Sequence, residues 1–435
     1  MRRLLAVATV AGLFVLLPAN WTSAADDAWM KANLGALVGL YKDLHQHPEL
    51  SFHEVETARR IADELRKAGA EVTTGVGKLG IVGVLKNGAG PTVLVRSDLD
   101  ALPVLEQTGL DYASTRTTTD DDGKTVPTMH ACGHDVHMTC LVGVARWLSS
   151  HRERWAGTVL LIGQPAEEKI GGAQLMLADG LYERFPKPDA ALALHVTPDQ
   201  PTGTVAYTSG PALAGSTSVD IVVKGKGGHG AAPHLTVDPI VLAALIIVDL
   251  QTITSRDIDP VEPCVLTVGS IHGGTKHNII PDEVRLQLTL RAYKEEVRRL
   301  LLDGIERRIN GLARAHNAPK PVFTVLESTP PTVNTPSLVE RVLPSLKAEL
   351  GADHVKPVPP VMGAEDFGLF GKGGVPTFMF RLGTMPAARL ALAQSDGKPL
   401  PGLHSSGYYP EPSGSIATGV RAMSAAVVGL LPPSR

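Results

Sequence analysis

Short apolar runs, set apart by glycine, proline and polar clusters, organise the chain from residue 80 onward. Residues 80–85 and 92–96 are rich in β-branched side chains and bounded by turn formers, so they read as strands. Val93-Leu94-Val95 does not alternate with polar residues, the pattern of a strand buried on both faces. Residues 158–162 and 191–196 repeat it. Ahead of them, 27–67 carries apolar residues at helical spacing, interrupted at His47-Pro48. A run at 139–148 is helical in character and follows a polar loop at 111–123.

From residue 216 the pattern changes. Strands are expected at 219–223, 264–271, 283–291 and 322–326, with an apolar helix at 239–255 and a charged amphipathic helix at 295–316. The order β-α-β-β-α-β is that of a ferredoxin-like unit, helices packed on an antiparallel sheet. The expected class is therefore α/β: a mixed-sheet domain in two parts, 26–214 and 329–435, split by an α+β domain over 215–328. A helix at 337–350, a strand at 376–381 and a helix at 415–431 complete the first domain.

Composition narrows this little. A chain of 435 residues exceeds one small core, and 43% hydrophobic with 20% charged residues describes a globular protein. A net charge of −3 offers no electrostatic footprint for nucleic acid. Residues 1–25 read as a secretory signal peptide: Arg2-Arg3, an apolar run over 4–17, then small residues at a cleavage site. The run is shorter than the roughly 20 residues a spanning helix needs, so the mature protein is expected to lack a stable membrane span and to be periplasmic or secreted. The cysteines are Cys132, Cys140 and Cys264, and an odd count leaves a free thiol or an intermolecular bridge. Cys140 and Cys264 lie in apolar runs and read as core; a disulfide between them is open.

Candidate chemistry concentrates in residues 129–137, Met-His-Ala-Cys-Gly-His-Asp-Val-His. A thiol, imidazoles and a carboxylate suit a borderline-soft divalent metal, and Gly133 lets the chain bend between Cys132 and His134. His130 and His137 read as surface or supporting residues. Three expected strands end in polar residues: Asp98 and Asp100, Glu167-Glu168, and His195. Open α/β sheets place their sites at such strand ends. One carboxylate of the pair can bind metal while the other works as a general base. His404 lies in the turn at 402–406. His45, His47, Glu49 and His53 read as a solvated helix end and loop.

In chain order, seven segments carry a resemblance. They are His47-Pro48-Glu49-Leu50-Ser51, Arg96-Ser97-Asp98-Leu99-Asp100-Ala101-Leu102-Pro103, Met129-His130-Ala131-Cys132-Gly133-His134-Asp135 and Gln164-Pro165-Ala166-Glu167-Glu168. Gly227-Gly228-His229, His277-Asn278-Ile279-Ile280-Pro281-Asp282 and Met362-Gly363-Ala364-Glu365-Asp366-Phe367 follow. Together they resemble the aminoacylase/carboxypeptidase family of dimetal amidohydrolases, and within it the bacterial hippurate and N-acyl-amino-acid hydrolases and the plant auxin-conjugate hydrolases. The resemblance implies two divalent ions (zinc, manganese, cobalt or nickel) sharing Cys132, with His134 and His195 on one and Glu168 and His404 on the other. It implies Glu167 as general base to a metal-bound water, and His229 polarising the scissile carbonyl across a homodimer interface. It further implies Asn278 and Arg291 holding the substrate carboxylate or oxyanion, and Asp100 orienting a ligand imidazole. Substrates would be N-acyl amino acids or small peptides; a dipeptidase or carboxypeptidase of the same fold, or a metal- or solute-binding protein without turnover, are the alternatives. Lys169 departs from the glycine usual there and is expected to alter the acidity of Glu167 or narrow specificity. Ser97 replaces a more usual alanine, with little expected consequence.

Overall fold

The computed structural model describes residues 24–433; the leader expected over 1–25 lies outside them except for Ala24 and Ala25, which open the first helix. The helical spacing of the first segment resolves into Ala24–Gln46 (α1) and Val55–Lys67 (α2), broken on either side of His47-Pro48. Proline has no amide to continue the ladder. Glu49 then accepts the backbone amides of Glu56 (3.3 Å) and Thr57 (2.8 Å), groups that have no acceptor inside α2.

Strands follow as Glu71–Val76 (β1), Gly80–Asn87 (β2), Thr92–Asp98 (β3), Gly157–Gln164 (β4), Ala190–Pro201 (β5) and Val205–Tyr207 (β6). Between β3 and β4 runs the helix His134–Ser150 (α3). Gly215–Lys224 (β7), Cys264–His272 (β8), Glu283–Ala292 (β9) and Val322–Thr329 (β10) build a second sheet. The chain returns through Val355–Pro357 (β11) and Thr377–Met385 (β12) to the first. That sheet has the order β1-β2-β4-β3-β5-β12-β6-β11, parallel at β4/β3/β5/β12 and antiparallel from β1 to β4. Every residue of β3 is buried, as its unbroken apolar run requires. One face is covered by α1, α3 and the helix Pro412–Leu430, with Leu37, Val142, Leu192 and Val420 in the core. On the other face Leu94, Ile162, Met176, Phe367 and Phe370 pack together.

The second sheet is antiparallel, order β8-β9-β7-β10. Pro239–Thr252 (α4) and Glu295–Ala315 (α5) cover one face and enclose a separate core of Ile221, Ile246, Leu286, Leu301 and Ile305. Asp238 caps α4, accepting the amides of Ile240 and Val241 ahead of Pro239 at the first turn.

Three strands of the two large sheets were not among the expected elements, and each has a physical reason. β1 is an edge strand whose side chains are mostly exposed, so it shows no apolar run. β6 and β11 are three residues long and draw their pairing from neighbours distant in sequence. Within the polar loop, Thr117–Thr119 and Thr125–Pro127 form a small hairpin. All three cysteines are free, which closes the Cys140–Cys264 disulfide.

Candidate metal centre

The carboxyl ends of β3 and β4 and the middle of β5, at His195, meet the start of α3 at one edge of the main sheet. Gly133 precedes α3 in a left-handed conformation (φ 74°), and a Cβ there would lie 2.6 Å from Val196 Cγ2. This turn sets Cys132 and His134 on the same side. Ala166 (φ 48°) and Ile170 (φ 48°) bend the loop after β4 around Glu167 and Glu168. His404 is itself left-handed (φ 64°), and its amide donates to the carbonyl of Ala131 (2.9 Å). Non-glycine residues held there cost on the order of 1–3 kcal/mol and cluster at functional sites.

Cys132 Sγ lies 3.6 Å from His195 Nε2 and 3.3 Å from His404 Nε2. Glu168 Oε1 lies 3.4 Å from His404 Nε2 and 3.8 Å from His134 Nε2. The donors form two groups that share the thiol, Cys132/His134/His195 and Cys132/Glu168/His404, each with ligand atoms within 4.8 Å of one another. His134 donates Nδ1–H to the Asp100 carbonyl (2.8 Å) and His195 donates Nδ1–H to the Val196 carbonyl (2.8 Å), so both turn Nε2 lone pairs inward. His134 Nε2 and Glu168 Oε1 are buried without a hydrogen-bond partner. Buried, unpartnered lone pairs on imidazole and carboxylate beside a thiol fit divalent ions such as zinc, manganese, cobalt or nickel.

The electrostatics favour positive charge at the same place. Burial would lower His134, yet Asp98 and Asp100 raise it to about 10. Burial, then Glu168 and Glu167, push the Cys132 thiol up, so the thiolate needs a cation beside it. Glu167 is held well above the usual carboxylate range by burial, Glu365, Glu168 and Asp366, with Arg96 opposing. Burial would also raise Asp98, but His134, His137 and Arg96 outweigh it and hold it well below. Asp100 accepts from Ser51 (2.6 Å) and from the Glu168 amide (3.0 Å), linking the His134 support to the acid pair.

Some expectations need correction. His45 is no solvated helix end: it is 1% exposed, donating to Asp135 (2.7 Å) and Glu106 (3.1 Å). His137 is buried too. It donates to Asp98 (2.7 Å) and accepts the Val196 amide (2.9 Å), so neither nitrogen is left for a metal. His130 is buried with both ring nitrogens unpaired, and burial lowers it to about 4. Lys169 turns from the acid pair and is exposed, paired with Asp121, so it does not act on Glu167. Arg96, to which the sequence assigns no role, proves structural. It is buried and bonded to Asp98 (2.8 Å), Glu365 (2.7 Å), Asp366 (3.1 Å) and Gln164 (2.8 Å). A cation ending a fully apolar strand run was the available signal.

A cavity of about 800 Å³ opens over the donors, lined by Cys132, Glu167, Glu168, His195 and His404 and, from the inserted sheet, by Arg291. Asn278 and His229 are not part of that lining. His229 is exposed on a short strand paired with Ile279, its Nδ1 accepting the Ala231 amide (3.0 Å).

Residues 94–395, spanning all the donors but His404, match the profile of peptidase family M20/M25/M40. The chain belongs to that family. This M20 protein is 38% identical to thermostable carboxypeptidase 1 of Saccharolobus solfataricus, over 80% of its own length and 86% of the relative's. It is 37% identical to the hippurate hydrolase of Campylobacter jejuni, over 75% and 82%. The YXEP protein of Bacillus subtilis, a dinuclear metal-binding M20 peptidase, superposes with a TM-score of 0.72 at 30% identity, covering 92% of this chain and 99% of that one. The M20 chain is accordingly a metal-dependent hydrolase of amide bonds.

Proposed function

We propose that this M20 hydrolase cleaves N-acyl amino acids, with Cys132, His134, His195, Glu168 and His404 holding two divalent ions. The observation that carries the reading is the shared thiol between two donor groups with a buried, ionisation-resistant acid, Glu167, at their edge. Bound divalent ions acidify water and draw charge from a carbonyl oxygen. Glu167 takes the proton from the attacking water and passes it to the leaving nitrogen. Its raised proton affinity suits both halves of that transfer. Asp100 and the Val196 carbonyl keep the imidazoles in register. Arg291 pairs with the substrate carboxylate.

His229 and Asn278 complete the site from a second copy of the chain. What supports this is their absence from the cavity lining, together with an unpartnered apolar face on α4 where Val241, Leu245 and Val248 point outward. From the partner, His229 would stabilise the developing oxyanion. We also place the mature protein outside the cytoplasm, on the basis of the leader over residues 1–25.

The test is a substrate panel on metal-reconstituted protein: hippurate and N-acetyl amino acids against unblocked dipeptides. Hydrolysis of blocked substrates supports the proposal. The relative named as a carboxypeptidase keeps a second reading open, and preference for unblocked dipeptides would select it. Glu167→Gln should keep the metal and lose roughly 10²–10⁴-fold in kcat.

A further inference from the structure

Two guanidinium groups face the cavity above the donors, and neither has an ion-pair partner among the described residues. Arg291 comes from β9 of the inserted sheet. It is half-buried, and desolvation alone lowers its pKa, with no acid acting on it. Arg381 comes from β12 of the main sheet, where it is the one residue not fully buried. It pairs in parallel register with His195, so its side chain stands on the face that carries that imidazole. Met379, two residues before it, lines the same cavity.

Arg381 Nη2 is buried and has no hydrogen-bond partner. The acid that acts on it, Asp199, makes no ion pair with it and accepts the hydroxyl of Thr197. The same cavity is lined largely by apolar residues, among them Leu213, Val265, Val361 and Met362, with Thr197, Thr289 and Asp199 as polar neighbours. An arginine desolvated against such walls is costly unless a counter-ion arrives. Arginine's planar fork matches a carboxylate through two parallel hydrogen bonds. One substrate carboxylate satisfies one of these arginines and leaves the other bare.

We propose that Arg381 is a specificity-determining residue that binds a second carboxylate, so that the preferred substrates are N-acyl amino acids carrying two anionic groups. The inference rests on the N-acyl amino acid reading above. The second carboxylate belongs either to the side chain of a dicarboxylic amino acid or to a dicarboxylic acyl group.

Two matched pairs separate these sources: N-acetylglutamate against N-acetylglutamine, and N-succinylleucine against N-succinamoylleucine. In the wild type, kcat/KM should favour the dianion in one pair by roughly tenfold or more, the size of a lost charged hydrogen bond. The preference should lie in KM. Arg381→Gln should bring that ratio to near unity, while Arg381→Lys keeps part of it. Arg291→Gln should weaken both members of a pair alike and leave the ratio standing. Ratios near unity for both pairs in the wild type, or a ratio that Arg381→Gln leaves intact, would overturn the proposal while leaving N-acyl amino acid hydrolysis in place. If Arg381→Gln does not fold, the wild-type ratios and Arg381→Lys decide. If metal-loaded wild type hydrolyses neither hippurate nor any of the four, the underlying reading fails and this inference falls with it; hydrolysis of hippurate but none of the four overturns this inference alone.

Discussion

His45 joins the end of α1 to the start of α3, the helix that carries His134. Both of its ring nitrogens donate to buried carboxylates, Asp135 and Glu106. Burial works against the charged ring, but the two acids prevail and raise it from 6.5 to about 9. That difference corresponds to ~3 kcal/mol of preference for the protonated form in the folded state. The imidazole is 1% exposed, so solvent screening does not reduce the figure much. Because the folded value is raised, the stabilisation is complete below about pH 6.5 and is lost as the pH climbs through about 9. His45→Gln keeps a donor to one acid and removes the titration. Urea unfolding of the metal-free wild type and variant, followed by far-UV circular dichroism at pH 6.5 and at pH 9.5, measures the effect. The wild-type advantage should narrow by ~3 kcal/mol between the two pH values. A gap that stays constant, or widens with pH, would refute a charged His45 held between two acids.

Cys132→Ala removes the donor common to both groups, so metal content measured by elemental analysis should fall and activity vanish; full metal content with normal turnover would strike Cys132 from the ligand set. Gly133→Ala forces a Cβ to 2.6 Å from Val196 Cγ2 at a positive φ, and should cost roughly 1–2 kcal/mol from the left-handed backbone alone and weaken metal affinity, read by competition with a chelator. Mixing His229→Ala with Glu167→Gln protein under subunit exchange should restore activity, because one site of each heterodimer then carries both defects and the other none. No recovery in verified heterodimers places His229 in cis.

The central strands could be read from the sequence because burial on both faces writes itself as unbroken apolar runs, as in Val93-Leu94-Val95. The inserted sheet could be read because β9 alternates cleanly, buried at Val284, Leu286, Leu288 and Leu290. Edges were hidden: β6 and β11 are too short to carry a period, and their pairing is decided by strands far away in sequence. Among the site residues, Cys132, His134, Glu167, Glu168 and His404 announce themselves by residue type and by lying in turns or at element ends; His195 ends an apolar run, although β5 continues to Pro201. His45 shows the opposite case. Its polarity is plain in the sequence, but its burial comes from α1 packing against α3, and no local pattern encodes that. Arg381 stands as a lone cation in an apolar strand and gives no sign of facing a cavity. Lys169 sits beside the acid pair in sequence yet turns outward to Asp121.

β12 lies between β5 and β6, although the whole inserted unit separates it from them in the chain. The main sheet therefore cannot close until the last quarter of the polypeptide is present, and the donor His404 arrives later still. The inserted unit has all of its strands and its own core before that moment. During synthesis, the first 376 residues hold the shared thiol and three further donors on an unfinished scaffold. Metal capture is thereby tied to completion of the chain: a protein interrupted before its final segment lacks both the strand that closes the sheet and the imidazole that closes the second donor group.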